Sequence, residues 1–389
     1  MPTWRVPLSD LLVDDEILKA IGEAAASGWW SMGPRVEEFE TAFASYLGCR
    51  HAIAVSSGTA GIHLALLATG CGSGDEVVLP SLNFVAAANA VTHTGARPVL
   101  CDIRGAVDLN LDPEDVEAAI GASTKAILVL HYGGYSCDMD AVLDIARRHQ
   151  LVVIEDAAHA PGASWHGRMC GTLGDVGCFS FFSNKNLPVG EGGMVVTDDD
   201  EVAGRIRLLR SHGMTTLTWA RHRGHAHTYD VVARGFNYRL DELRAAIGLV
   251  QLGRLEASNR ARAHIAARYR RELDRIDGLT IPFHDHHSKT SAHHLATLVL
   301  ARADLQAPMR GYLTDRGIQT SLHYPPIHRF SDYGEQCSRS LPVTDDVCDR
   351  LITLPLYPHM SKEQVELVIG AVIDFMTAHT NALAGADGG

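Results

Sequence analysis

Nucleophilic chemistry in this sequence converges on one lysine. Of 34 basic residues only five are lysine: Lys19, Lys125, Lys185, Lys289 and Lys362. Four of them occupy places that suit a solvated amine, on helix faces, at a strand entry and in a polar loop. Lys185 does not. It lies in CFSFFSNKNLPVGEGGMVV, in a turn between two apolar strands, with a run of glycines just after it. An amine held away from water binds its proton less tightly and becomes a nucleophile or base. On this segment alone, a lysine exposed at a turn fits equally well.

Other residues shift that balance. The strand LVVIED ends at Asp156. Ligands of open α/β sheets bind beyond the carboxyl ends of the strands, so Asp156 is expected to face a site. A carboxylate there can keep a pyridine nitrogen protonated, since an opposite charge favours the cationic form. Seen alone, such an aspartate is more often a helix cap or half of a structural ion pair. In SSGTAGIHLALL a strand runs into Ser56-Ser57-Gly58-Thr59 and then a helix. Small residues at a helix start leave amides free for phosphate, although Ser-Gly-Thr also caps helices that bind nothing. No GK[ST] follows, so this is not a Walker loop. Ser180 can add a hydroxyl to the same phosphate, and Phe84 can cover a flat ring or simply pack in the core. Lysine, carboxylate, phosphate cradle and aromatic together meet the needs of pyridoxal 5′-phosphate: a Schiff base, a partner for the ring nitrogen and a phosphate anchor.

The elements that must position these residues read as α/β. Apolar runs at 51–56, 76–80, 97–103, 125–130 and 151–156 alternate with helix-length segments at 59–70, 83–95, 112–121 and 138–149. That alternation predicts a mostly parallel sheet covered on both faces. The runs 178–182 and 193–198 lie close together and break it. From about Leu240, helical periodicity persists for more than thirty residues, which suggests a helix that bends or joins two domains. A strand at 295–301 and helices near 307–316 and 361–378 then predict a smaller α+β domain. The expected division is residues 1–250, a large domain, and 251–389, a small C-terminal one.

Composition sets outer limits. The chain has 389 residues, 46% hydrophobic and 21% charged, which suits a folded globular protein. The net charge of -12 argues against general nucleic-acid binding. The eight cysteines are scattered without a CxxC pair, so neither a disulfide frame nor a zinc ribbon is expected. The first residues lack a basic stretch followed by an apolar one, and no apolar run approaches ~18 residues, so the expectation is a cytoplasmic protein with no membrane partner. His286–His287 and His293–His294 read as surface loop rather than metal ligands, because no acid or thiol completes a site, and no metal is expected. The Arg/His-rich TWARHRGHAH (218–227) reads as a solvated loop, with a role at the substrate entrance or on a diphosphate as the alternative.

With these motifs in order, the chain resembles the DegT/DnrJ/EryC1/StrS aminotransferases, from about Gly28 to Leu367. The segments that carry the resemblance are SGWWSMGPRVEEFE, AVSSGTAGIHLAL, GDEVVLPSLNFVAAANAV, IEDAAHAPGA, GDVGCFSFFSNKN, GEGGMVVTDDDEVA, RGFNYRLDELRAAIGLVQL and HYPPIH. The resemblance implies the type I fold of pyridoxal-phosphate-dependent transferases, with a seven-stranded sheet in the large domain. It assigns Lys185 to the Schiff base and the proton transfer, Asp156 to the pyridine nitrogen, and Gly58, Thr59 and Ser180 to the phosphate. Phe84 falls to ring stacking. Asn237 matches a residue that reaches the phosphate of the neighbouring subunit, which implies a homodimer with shared active sites. Arg239, Tyr324 and His328 fall where relatives meet the sugar nucleotide. His159 stands where many relatives have glutamine, and could contact the ring oxygen of the cofactor.

The activity so implied is transamination through pyridoxamine 5′-phosphate. A nucleotide-linked, dTDP-type 4-keto-6-deoxyhexose becomes the 4-amino-4,6-dideoxy sugar, with L-glutamate as donor, in deoxyaminosugar and natural-product biosynthesis. GEGG after Lys185 is more like C4-aminating relatives than the GDGG of many C3-aminating ones. Amination of a 3-keto sugar or ketocyclitol is the alternative within the family. Relatives that dehydrate carry histidine in place of the lysine, and this chain does not. A non-catalytic ligand-binding relative is the alternative of another class. A nicotinamide oxidoreductase lacks support, since GCGSGD follows a helix and GEGGM precedes a strand. No GxSxG elbow suggests a serine hydrolase.

Overall fold

The computed structural model describes residues 4–216, 228–284, 289–335, 337 and 339–386. Its frame is a sheet of seven strands: β1 His51–Val55, β2 Glu76–Pro80, β3 Arg97–Cys101, β4 Thr124–Leu130, β5 Val152–Asp156, β6 Val176–Ser180 and β7 Gly193–Thr197. The order is β1-β7-β6-β5-β4-β2-β3. β7 runs antiparallel to both its neighbours, and every other pairing is parallel. The break in alternation at 178–198 is therefore a reversal of direction, and the Lys185 turn joins the two strands that make it.

Both faces of the sheet are buried, as continuous apolar strands require. Side chains alternate between them with the strand's period of two. Ile53 and Val55 pack with Leu64, Leu66 and Leu128, while Ala52 and Ala54 pack with Phe39, Phe43, Phe179 and Phe181. The helices expected after the strands form: α3 Gly58–Ala68, α4 Ala86–His93, α5 Pro113–Ala119 and α6 Met139–His149. The alternation did not reveal α1 Asp15–Ala26 and α2 Pro34–Leu47, which precede β1, nor α7 Asp200–Arg210.

α8, Glu242–Leu273, is one unbroken helix of 32 residues. Its first half packs on α1 and α2. Its last turns, through Tyr269 and Leu273, enter a second core with Leu298, Leu300, Ile352 and Leu354. These last four lie in a three-stranded antiparallel sheet of β8 Leu279–Thr280, β9 Ala296–Leu300 and β10 Leu351–Leu354. Residue 250, the expected division, falls inside α8, and Val6 from the chain's start is buried in the second core. The terminal helix, Lys362–Ala386, runs past residue 378; its NALAGA stretch is rich in alanine, the strongest helix former. Among the described residues no helix is long and apolar enough to cross a membrane.

One long-range cap ties the N-terminal helices to α8. α2 opens on Pro34 after Gly33, which has no side chain to cap it. The Glu242 carboxylate, only 3% exposed, accepts from the backbone amides of Arg35 and Val36, each at 3.0 Å. A carboxylate at a helix start satisfies orphan donors and opposes the positive end of the helix dipole. Glu242→Ala leaves those amides unpaired, and is expected to lower unfolding free energy by ~1–3 kcal/mol in urea titrations followed by circular dichroism. Glu242→Gln, which retains an acceptor oxygen, should lose less.

Candidate active site

The carboxyl ends of β1, β4, β5 and β6 open on a cavity of about 420 Å³. This is where ligands of open α/β sheets sit, and the volume suits a small molecule. A cleft of about 530 Å³ lies at the opposite ends, lined by Cys49, Arg50, Asp175 and Asp198. It offers no ready nucleophile, because burial pushes the Cys49 thiol up to about 11.

Lys185 lines the first cavity. Its turn is closed by its own N–H donating to the Phe182 carbonyl and by Val189 N–H donating to the Phe181 carbonyl, both at 2.8 Å. The next residue, Asn186, is buried and anchors the turn. Its amide donates to Asn259 Oδ1 at 2.8 Å and to the Ala292 carbonyl at 2.7 Å. Loss of water around the amine pulls the Lys185 pKa down to about 8, against the opposing pull of the Asp156 charge. Asp156 ends β5 and is 6% exposed. Burial raises its pKa, opposed by the Ala158 N–H, which donates to Oδ1 at 3.1 Å, and by Lys185.

The phosphate cradle forms at the start of α3. Ser57 caps it, its hydroxyl accepting from Ala60 N–H at 3.1 Å. Gly58 is required by a close approach: a Cβ there would lie 2.9 Å from the Cβ of Ser180. Thr59 and Ser180 line the cavity with it. Phe84 stands at the mouth, 55% exposed, its ring 5.7 Å from that of Tyr324. His159 and Tyr324 line the same cavity, with Nε2 of His159 2.8 Å from the Tyr324 hydroxyl.

Three expected residues lie elsewhere. Both ring nitrogens of His328 are engaged, Nδ1 with Ser81 Oγ at 2.7 Å and Nε2 with Asp345 Oδ1 at 3.0 Å. His323, five residues earlier, lines the cavity instead. Asn237 is exposed, in a bridge to Ser211 and off this chain's cavity. Arg239 pairs with Val55, and one of its terminal nitrogens, Nη1, is buried with no partner among the described residues.

The cavity also holds Asn83, Asn184 and Glu191, which sequence reasoning passed over. Asn83, next to Phe84 just after β2, was the most findable; its buried side-chain Nδ2 has no partner among the described residues. The surface-loop expectation for His293–His294 is corrected. Backbone bonds from Ala292 and His294 to Gly134 and Gly133 draw this segment inward, and His294 is 5% exposed with its ring 4.5 Å from that of His159. His286–His287 and the 218–227 segment lie outside the described residues. Among the described residues no group of three His, Cys, Asp or Glu could hold a metal ion.

A lysine and a carboxylate at strand ends, with a helix-start cradle beside them, are the furniture of a type I pyridoxal-phosphate-dependent transferase. The comparisons agree. The profile of the DegT/DnrJ/EryC1/StrS aminotransferase family matches residues 12–373. The spore coat polysaccharide biosynthesis protein SpsC of Bacillus subtilis (strain 168) is 41% identical over 379 residues, covering 95% of this chain and 97% of SpsC. The crystal structure of the aminotransferase TlmJ from Streptoalloteichus hindustanus superposes with a TM-score of 0.90 at 39% identity, over 96% of this chain and 99% of that one. The sugar aminotransferase CalS13 from Micromonospora echinospora does so at 0.87 and 31%, over 95% and 99%. The chain belongs to the DegT/DnrJ/EryC1/StrS family and is an aminotransferase.

That family is pyridoxal-phosphate-dependent, and the residues present fit the cofactor. The cradle closes only around glycine at 58, the buried Asn83 Nδ2 has no partner among the described residues, and Asp156 is a buried carboxylate whose charge is opposed by an amine of weakened basicity.

The lysine's titration is directly measurable. In protein freed of cofactor, acetylation of Lys185 followed by peptide mass mapping should rise with a midpoint near pH 8, well below the ordinary lysine value of about 10.4. Asp156→Asn removes the charge that favours the ammonium form, so the midpoint should fall further. A midpoint above about 10 would contradict the burial argument.

Proposed function

We propose that this aminotransferase moves the amino group of L-glutamate to the keto carbon of a nucleotide-linked 4-keto-6-deoxyhexose of the dTDP type, giving the 4-amino-4,6-dideoxy sugar. The observation that carries the chemistry is Lys185, an amine of pKa about 8, sharing a buried cavity with Asp156. The sugar is supported by the relatives: SpsC is named for polysaccharide biosynthesis and CalS13 for sugar amination. GEGG at 190–193 supports the 4-position.

In this reading Ser57, Gly58, Thr59 and Ser180 would hold the phosphate of pyridoxal phosphate, Asp156 would pair with its ring nitrogen and Phe84 would cover its ring. When bound, it supplies an electron sink for the carbon that loses its proton. The protein moves that proton. Near neutral pH a lysine of pKa about 8 exists in both forms, so Lys185 could take a proton from the donor's α-carbon and pass it to the C4′ carbon of the cofactor in one half-reaction, and carry a proton from that carbon to the sugar carbon in the other. Asp156, ionised, would hold the positive charge of a protonated ring nitrogen in place. The cavity walls of Leu130, Ile62 and Ala86 keep water from competing. Asn237, exposed and off its own cavity, serves the second site of a homodimer. The glutamate donor, the dimer, the cytoplasmic location and the natural-product setting belong to this proposal.

The test follows the two half-reactions separately. L-Glutamate should bleach the visible absorbance of the holoenzyme, and a dTDP-4-keto-6-deoxyhexose should restore it. Lys185→Ala should slow both steps by ~10²–10⁴-fold. Restoration by a 3-keto sugar or a ketocyclitol alone would overturn the proposed substrate. No Lys185-dependent exchange with any donor would favour a ligand-binding relative without catalysis.

A further inference from the structure

His159 and Tyr324 form a pair whose polarity the backbone sets. The amide of Gly133 donates to Nδ1 of His159 at 3.3 Å. A backbone N–H can only donate, so Nδ1 carries the lone pair. The neutral ring then bears its single proton on Nε2, which lies 2.8 Å from the Tyr324 hydroxyl. A second proton is opposed by burial and by nearby charge. The ring is 2% exposed, Lys185 and His323 oppose added charge, and the His294 ring is 4.5 Å away. Tyr324 Oη therefore accepts from His159, and among the described residues its hydroxyl has no other hydrogen-bond partner. Its own proton is left to donate into the cavity, beside Phe84.

We propose that His159 is a positioning residue that locks Tyr324 as a hydrogen-bond donor to an oxygen of the keto sugar. This deepens the proposed function and rests on it. The lock makes Tyr324 selective, since a donor whose orientation is fixed needs a lone pair opposite it. A substrate presenting an N–H or C–H there leaves the phenol proton unpaired.

The test combines half-reaction kinetics with a direct reading of the tautomer. Tyr324→Phe should slow the keto-sugar half-reaction ~10–100-fold more than the glutamate half-reaction. His159→Leu should cost about 10-fold in the same step when Tyr324 is present, and nothing further in the Tyr324→Phe background. His159→Gln, whose amide N–H can still donate, should recover to within about 3-fold. The visible spectrum and circular dichroism of each holoenzyme variant guard against misfolding. In ¹⁵N-histidine-labelled holoenzyme, the signals lost in His159→Gln should show a bare Nδ1 and a protonated Nε2 from about pH 6 to 9.

Additive losses in the double variant would overturn the coupling. Equal slowing of both half-reactions would overturn the sugar as the recipient, and an Nδ1–H or imidazolium signal would overturn the lock. The nitrogen signals need no sugar. Failure of the wild type to aminate any sugar would therefore strike the proposed function, whereas a wrong tautomer would strike this proposal alone.

Discussion

The structure turns on holding an amine out of water. Lys185 gives up hydration in a cavity at the strand ends, and the Asp156 charge returns only part of what is lost. A drop from the ordinary lysine value to about 8 corresponds to a cost on the order of 3 kcal/mol while the amine is protonated. The unfolded chain binds the proton more tightly, so this cost is present below pH 8 and shrinks as pH rises toward the ordinary value. The fold carries that cost because neighbouring elements leave the turn no alternative. Asn186 is tied to Asn259 on α8 and to the Ala292 carbonyl, and β6 and β7 fix the two ends of the turn.

The same logic of forced proximity places the rest of the site. Parallel strands deliver Asp156, Ser180 and the Ser57–Thr59 cradle to one edge, because their carboxyl ends all point the same way. The reversal of β7 then returns the chain across the sheet and positions the lysine turn at that edge. Gly58 and Ser180 meet so closely that no side chain fits between them. Around this centre the polar groups are arranged to stay neutral: three imidazoles, His159, His294 and His323, all titrate below the ordinary histidine value through burial and the nearby lysine charge.

Much of this was legible from residues alone, and the exceptions have physical reasons. The sheet strands are continuous apolar runs, and a buried parallel sheet admits little else. Lys185, Asp156, Gly58 and Ser180 were legible because their positions at strand ends follow from that pattern. Helix α2 was not, because its cap comes from Glu242, some two hundred residues away. His294 misled for a similar reason: a histidine pair in a polar stretch looks solvated, and only the long-range bonds to Gly133 and Gly134 bury it. His328 and His323 sit in one short motif, and the difference between them is set by Ser81 and Asp345, which sequence spacing does not reveal.

We propose that Lys185 is the residue joined to the cofactor in the resting enzyme. Borohydride reduction of the holoenzyme followed by peptide mass mapping tests it most directly. A phosphopyridoxyl label is expected on the peptide containing Lys185 and on no peptide containing Lys19, Lys125, Lys289 or Lys362. An unlabelled Lys185, with cofactor bound or attached elsewhere, would contradict it.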